Sequence, residues 1–273
     1  MQSLFQRTRF IMVQTSHPGN VGSAARAIKT MGFRELVLAA PRRDDLLTHP
    51  EAVALASGAT DILEKAIIVD SLEQALAPIS LSFALTARDR DMGPPVVDIR
   101  QAANESSIHL RADEQSKIAI ILGSERVGLE NHHIELCHRI CHIPANPEYS
   151  SLNVAQALQL AAWELRYAYQ TPTDIPSDAH NQALLASLQA MRIDIDEDSP
   201  NLHHYASQEQ VQALLTHWEQ ALIHIGFLNP DHPKKLMPRM RYWFNRSQLS
   251  QEETAMMRGV CSQILKLKST LKN

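Results

Sequence analysis

Nine glycines are spread over 273 residues, and none falls in a G-x-G-x-x-G or G-x-x-x-x-G-K-[ST] pattern. Ordinary dinucleotide-fold and P-loop phosphate binding are therefore unsupported. No G-x-S-x-G elbow is present either, so nothing points to a serine hydrolase. Cysteine is scarce: Cys137, Cys141 and Cys261 are the full set. An odd count without framework spacing argues against a disulfide scaffold and for reduced thiols. No apolar run approaches the roughly 20 residues of a membrane span. Met1 to Arg9 lacks the apolar core of a secretory signal. A cytoplasmic protein without a membrane partner is the expectation.

One cluster invites a metal, His132-His133 with Cys137-His138 and Cys141-His142. Zinc sites want paired ligands with partners further off in sequence. Here Cys137 is predicted at a helix end and Cys141 in a buried strand, with diverging directions. No metal is expected.

What is present is an ordinary globular composition, 44% apolar and 21% charged, with an uneven distribution of charge. Residues 231–273 carry a balance of +6, so the formal net charge of −4 leaves −10 on the rest. A basic end on an acidic protein suits an anionic partner such as nucleic acid. Ordinary solvated helix faces would account for it equally well.

Residues 10–169 read as alternating strands and helices, which predicts a parallel sheet covered on both faces. Strands are expected at 10–13, 36–39, 66–69, 81–86, 118–122 and 139–143. The first helix carries Val21, Ala24, Ala25, Ile28 and Met31 at helical spacing, with a cap near Asn20 and a stop at Gly32. The last helix of this part repeats the pattern through Val154, Ala157, Leu158, Ala161, Ala162 and Leu165. The expected plan is a domain at 1–170, a linker at 171–206 with one helix near 179–191, and a small basic helical domain at 207–273. Within the last, Ser207 is a plausible cap and Gly226 a plausible stop.

Three polar turns follow strand-like runs: Thr15 to Ser23, Leu122 to Leu129, and Asn146 to Asn153. Loops on a rigid scaffold are where chemistry usually sits. Gly19 to Ser23 opens a helix whose free N–H groups favour an anion, with Arg26 one turn further in. Gly123 would let a ligand approach the backbone, and Glu125 could accept hydrogen bonds from a ribose or base. Ser150, Ser151 and Asn153 crowd a helix start where one hydroxyl would suffice as a cap. A capped helix, a tight strand-to-helix turn and an elaborate cap are the plainer accounts of the three.

Taken together, the turns resemble the three motifs of the SPOUT superfamily of RNA methyltransferases, in the TrmH-like branch and closest to the TrmJ group. Asn20 to Ala27, Gly123 to Leu129, and Pro144 to Asn153 carry the likeness. The run Gly226-Phe227 … Met237-Pro238-Arg239-Met240-Arg241 extends it into the tail. The resemblance implies an α/β domain with a C-terminal trefoil knot, a homodimer with active sites shared between subunits, and S-adenosylmethionine bound in the knot. It implies methylation of the ribose 2′-oxygen at position 32 of the tRNA anticodon loop. An rRNA ribose methyltransferase and a non-catalytic RNA-binding protein are the alternatives. By the same carry-over, Leu85, Thr86, Ala87, Gly123, Ile143, Ser150, Ser151 and Leu152 would bind the cofactor. Arg26, Ser151 and Asn153 would be catalytic, with Asn20 and Glu125 in support. The family often has Gly-Thr-Ser-Ala-Arg where this chain has Ala84-Leu85-Thr86-Ala87-Arg88, so a hydroxyl contact at Leu85 is lost. Lys234, Lys235, Arg239, Arg241 and Arg246 would hold RNA backbone.

Overall fold

A computed structural model describes residues 3–88, 93–170 and 204–267. The helix expected near 179–191 and most of the linker lie outside them. Seven strands form one sheet in the order β3-β2-β1-β6-β4-β7-β5, every pair parallel. They are β1 (Thr8–Val13), β2 (Glu35–Ala39), β3 (Ile67–Val69), β4 (Leu81–Leu85), β5 (Val96–Asp98), β6 (Ile118–Leu122) and β7 (Arg139–His142). Central strands read as continuous apolar runs because both sheet faces are covered. In β1, Phe10 and Met12 enter one core while Ile11 and Val13 enter the other.

The first face is covered by α1 (Pro18–Thr30), α2 (Pro50–Ala56), α3 (Thr60–Glu64), α5 (Ile99–Ala112) and α7 (Val154–Gln170). On the second lie α4 (Leu72–Leu76), Leu129 and the short α6 (Asn131–Ile134). The segment from Thr60 to Glu64, strand β5 and helix α5 were not foreseen from the sequence.

Helix α1 begins at Pro18, not near Asn20. Proline at the first helical position fits because its missing N–H has no intrahelical partner anyway. The helix ends as expected at Gly32, whose φ of +84° is left-handed. Gly32 N–H donates to Lys29 O and Phe33 N–H to Ile28 O, a complete Schellman closure.

β7 comes last in the sheet yet lies between β4 and β5. The β4–β5 connection must therefore cross β7. Gly93, toward the β5 end of that connection, lies on the second face, where a Cβ would come within 2.9 Å of Ile140 Cδ1, while α7 packs on the first face. A segment bracketed in this way is what a trefoil knot at this place requires.

The C-terminal part folds as α8 (Gln208–His224), α9 (Leu236–Ser247) and α10 (Gln251–Lys266) around Leu214, Leu215, Phe244 and Cys261. Ser207 caps α8 with Gln210 in a reciprocal box, and Gly226 follows it at positive φ. The first N–H groups of α8 donate outward, Gln208 to Ile79 O and Glu209 to Ala77 O. Asp113 accepts from Tyr205 N–H and pairs with His204. These contacts seat the helical part on the sheet domain.

Where α1 crosses α2, the helices touch through Gly22: a Cβ there would lie 2.1 Å from Ala52 O. Main chain cannot yield as a side chain does. Gly22→Ala is expected to cost about 1–3 kcal/mol as overpacking, read as a lower urea midpoint at unchanged slope.

Candidate active site

Parallel strands bring their loops to one edge, and ligands of open α/β sheets bind beyond the strands' carboxyl ends. Met12, Leu122, Leu85 and Cys141 stand side by side across β1, β6, β4 and β7. The segments that follow them are the three predicted turns and Thr86 to Arg88. They surround a cleft of about 1350 Å³, closed on its other sides by α1, α2 and α7. All eight residues expected at a cofactor line it, as do Asn20, Glu125, Ser151 and Asn153.

Arg26 does not line this cleft. Its neighbours Ser23 and Ala27 do, but Arg26 is on the exposed face of α1. Ser23, one turn before Arg26 on the same side of α1, keeps this part of the helix at the cleft's edge.

A directed chain of hydrogen bonds joins the three turns. Glu125 accepts from Thr15 Oγ1 at 2.6 Å, Ser16 N and Oγ at 3.3 Å, and His17 N at 3.4 Å. Asn20 Nδ2 donates to the same carboxylate at 3.2 Å. Since Asn20 must turn its NH2 toward the acid, its Oδ1 faces away and accepts from Asn153 Nδ2 at 2.9 Å. Asn153 Oδ1 is left to accept from Ala155 N at 2.9 Å and Gln156 N at 3.3 Å. The cap of α7 is therefore Asn153, not Ser150 or Ser151. Both serines are left beside the cleft with no capping duty.

The anion expected at the start of α1 is also accounted for: it is Glu125 itself. Burial pushes its carboxyl up, but the donors, led by Thr15 with Asn20 and Ser16, outweigh that and hold it below the ordinary value. Glu125 therefore stays charged near neutrality with its lone pairs engaged. Sequence reasoning named Glu125 and Asn20 but missed Thr15, Ser16 and His17 as their partners.

Gly123 also serves the turn itself. A Cβ there would lie 2.0 Å from Gly128 C. The turn closes on itself through Gly128 N–H to Ser124 O at 2.8 Å, and this closure by itself requires glycine, which also lines the cleft.

The lining combines apolar, hydroxyl and charged side chains. Leu85, Leu122, Ile143 and Leu152 offer apolar walls, and Thr86, Ser150 and Ser151 offer hydroxyls. Arg88 and Arg126 stand exposed at its border, and with Arg26 they make no ion pair among the described residues. The cysteines lie elsewhere: Cys137 and Cys141 are fully buried, and burial pushes both thiols far up. Among the described residues no group of three or more His, Cys, Asp or Glu side chains is placed to hold a metal.

Fold and cleft together define a methyltransferase of the SPOUT kind. The chain belongs to the SpoU rRNA Methylase family, whose model matches residues 7–163. The model of the tRNA methyltransferase TrmJ C-terminal domain matches residues 209–273, and full-length likeness places the chain in the TrmJ group. A TrmJ of Pseudomonas aeruginosa (strain UCBPP-PA14) is 37% identical over 97% of this chain and 96% of its own. The crystal structure of TrmJ from Z. mobilis ZM4 superposes with a TM-score of 0.74 at 28% identity, over 95% of this chain and 99% of that one. A probable methyltransferase from Bordetella pertussis Tohama I is 70% identical over 61% of this chain and 98% of its own, with a TM-score of 0.59.

Glu125→Gln tests the relay. An amide cannot accept from all these donors, so the variant is expected to unfold at lower urea near neutrality. The depressed pKa fixes the sign: the wild type's advantage is complete above the ordinary value of 4.5 and fades as pH falls through the lower folded-state value. A stability gap that is the same at about pH 3 as at about pH 7 contradicts the assignment.

Proposed function

We propose that this chain methylates the ribose 2′-oxygen at position 32 of the tRNA anticodon loop, using S-adenosylmethionine. The observation that carries the reading is the Glu125–Asn20–Asn153 chain, which gathers all three motifs at one cleft. The Pseudomonas relative is named a tRNA (cytidine/uridine/adenosine-2′-O-)-methyltransferase, which supports tRNA over rRNA. Position 32 rests on the likeness of Thr15 to Gly32 and Asn146 to Asn153 to the TrmJ group.

Bound in the cleft, the cofactor would supply an electrophilic methyl group on a sulfonium. The apolar walls and hydroxyls described above would hold it, with Leu85 contributing backbone and apolar surface only. The protein's remaining task is to position a weak nucleophile. Ser151 stands at the cleft wall, and Asn153, locked by Asn20, fixes the turn that carries it. A guanidinium offers hydrogen-bond donors and no acceptor, so the role of Arg26 is to bind the adjacent phosphate or stabilise the forming alkoxide. The proton leaves through a phosphate oxygen, Ser151 or water.

Arg26 is exposed and does not itself line its own cleft, which suits a homodimer in which it completes the partner's. An apolar stripe on α7 offers the surface for such pairing. Leu160, Trp163 and Tyr167 are spaced three and four residues apart and are 41%, 54% and 66% exposed. The helical domain would hold RNA at a distance. Lys235, at the start of α9, and Arg239, Trp243 and Arg246 within it share one exposed helix face. Arg241, expected among these contacts, turns inward and donates to Gln212 Oε1 at 2.6 Å. Phe244 is core, whereas Trp243 is half-exposed.

Complementation tests the shared site. Arg26→Ala and Ser151→Ala are each expected to lose roughly 100-fold or more in kcat. Mixed and re-equilibrated, they should regain about a quarter of wild-type activity, because half the dimers then hold one intact site. No recovery in exchanged dimers contradicts sharing. For the tail, the double variant Arg239→Ala/Arg246→Ala should flatten the slope of log K against log salt by about 1–2 units. An unchanged slope removes α9 from the RNA interface.

A further inference from the structure

Tyr149 is the most exposed large hydrophobic side chain among the described residues, at 80%. Its backbone is nevertheless fixed. Tyr149 N–H donates to Asn146 O at 3.0 Å, and Glu148 N–H donates to Asn146 Oδ1 at 3.1 Å. Pro144 and Pro147 restrict the approach to this turn. The next two residues, Ser150 and Ser151, line the cleft, and successive Cα atoms are only about 3.8 Å apart. An aromatic ring is thus held on a preset turn at the edge of the cleft, with its faces open to solvent.

We propose that Tyr149 is a positioning residue that stacks on the base of the nucleotide to be methylated. The inference rests on the RNA methyl-transfer reading of the site and goes beyond it by naming how the target nucleotide is oriented. Bases in single-stranded loops are commonly held by stacking on aromatic rings. Holding the base fixes the glycosidic bond and, with it, the direction of the 2′-hydroxyl. The charges nearby divide the work. Glu148, exposed on the same turn, repels phosphate, so this turn meets a base face. Arg88 and Arg126, on the loops after β4 and β6, are left for the backbone. Every base has a π-face, so this contact fixes orientation without selecting base identity.

Steady-state methylation of tRNA by the full-length protein tests this with Tyr149→Ala and Tyr149→Phe. The alanine variant is expected to lose about tenfold in kcat/KM for tRNA, mostly through KM, the size of one lost base–aromatic stack. Phenylalanine keeps the ring and should stay within about twofold of wild type. S-adenosylmethionine affinity by calorimetry and oligomeric state by sedimentation should be unchanged in both. An anticodon stem-loop with 2-aminopurine at the target nucleotide should be quenched on binding wild type and the phenylalanine variant, but not the alanine variant. Wild-type kcat/KM in the alanine variant overturns the proposal. So does an equal loss of cofactor affinity, which makes the ring a cofactor cover, or dissociation of a dimer, which makes it an interface residue. A wild-type protein inactive on tRNA sinks the reading of the site and this inference with it. An active one indifferent to Tyr149→Ala sinks the inference alone.

Discussion

One carboxylate holds the site together. Glu125 sits where the loops after β1 and β6 meet, and the donors around it come from Thr15, Ser16, His17 and Asn20. A buried charge is tolerated only when it is paired or fully hydrogen-bonded, and here the bonds come from a single loop and helix start. The negative charge also sets the sense of everything beyond it. It orients Asn20, Asn20 orients Asn153, and Asn153 starts α7. Two side-chain amides that could each point either way are thereby given one direction. Pre-orientation of this kind is what a site needs when its task is positioning rather than acid–base exchange.

The sheet makes that junction possible. A parallel arrangement delivers every loop that matters to the same edge, and the strand order sets the three motif strands within a span of four. The turn that carries Ser150 and Ser151 follows β7, which depends on β4 and β5 for both its ladders. Fold and site are therefore one arrangement: the strand that the crossing passes also leads into a wall of the cleft.

Much of this was visible in the residues. Apolar runs bounded by Pro, Gly, Asn and Ser marked most strands and the turns after them. Which atoms pair across the turns was not visible, because the partners lie 105 and 133 positions apart and one polar side chain looks much like another. Helix α5 escaped notice despite an Asp98–Gln101 capping box. Its core side includes Glu105, Ser106 and His109, each satisfied by a specific partner: Arg139, Ala102 O and Ser80. Those polar residues erase the apolar periodicity that reveals most buried helices. The exposure of Arg26 was hidden for another reason. Helical spacing separates the faces of α1 but does not say which face borders a cleft built by distant strands.

The placing of β7 has a consequence for how the protein is made. A chain emerging from the ribosome makes β7 last, and β5, which pairs in this sheet with β7, has no place in it until then. The binding wall is finished last. A nascent or clipped polypeptide that stops short of residue 154 can hold most of its sheet and still lack the start of α7, to which Asn153 is tied. The cleft is thereby complete only in chains whose sheet domain has been made to its end.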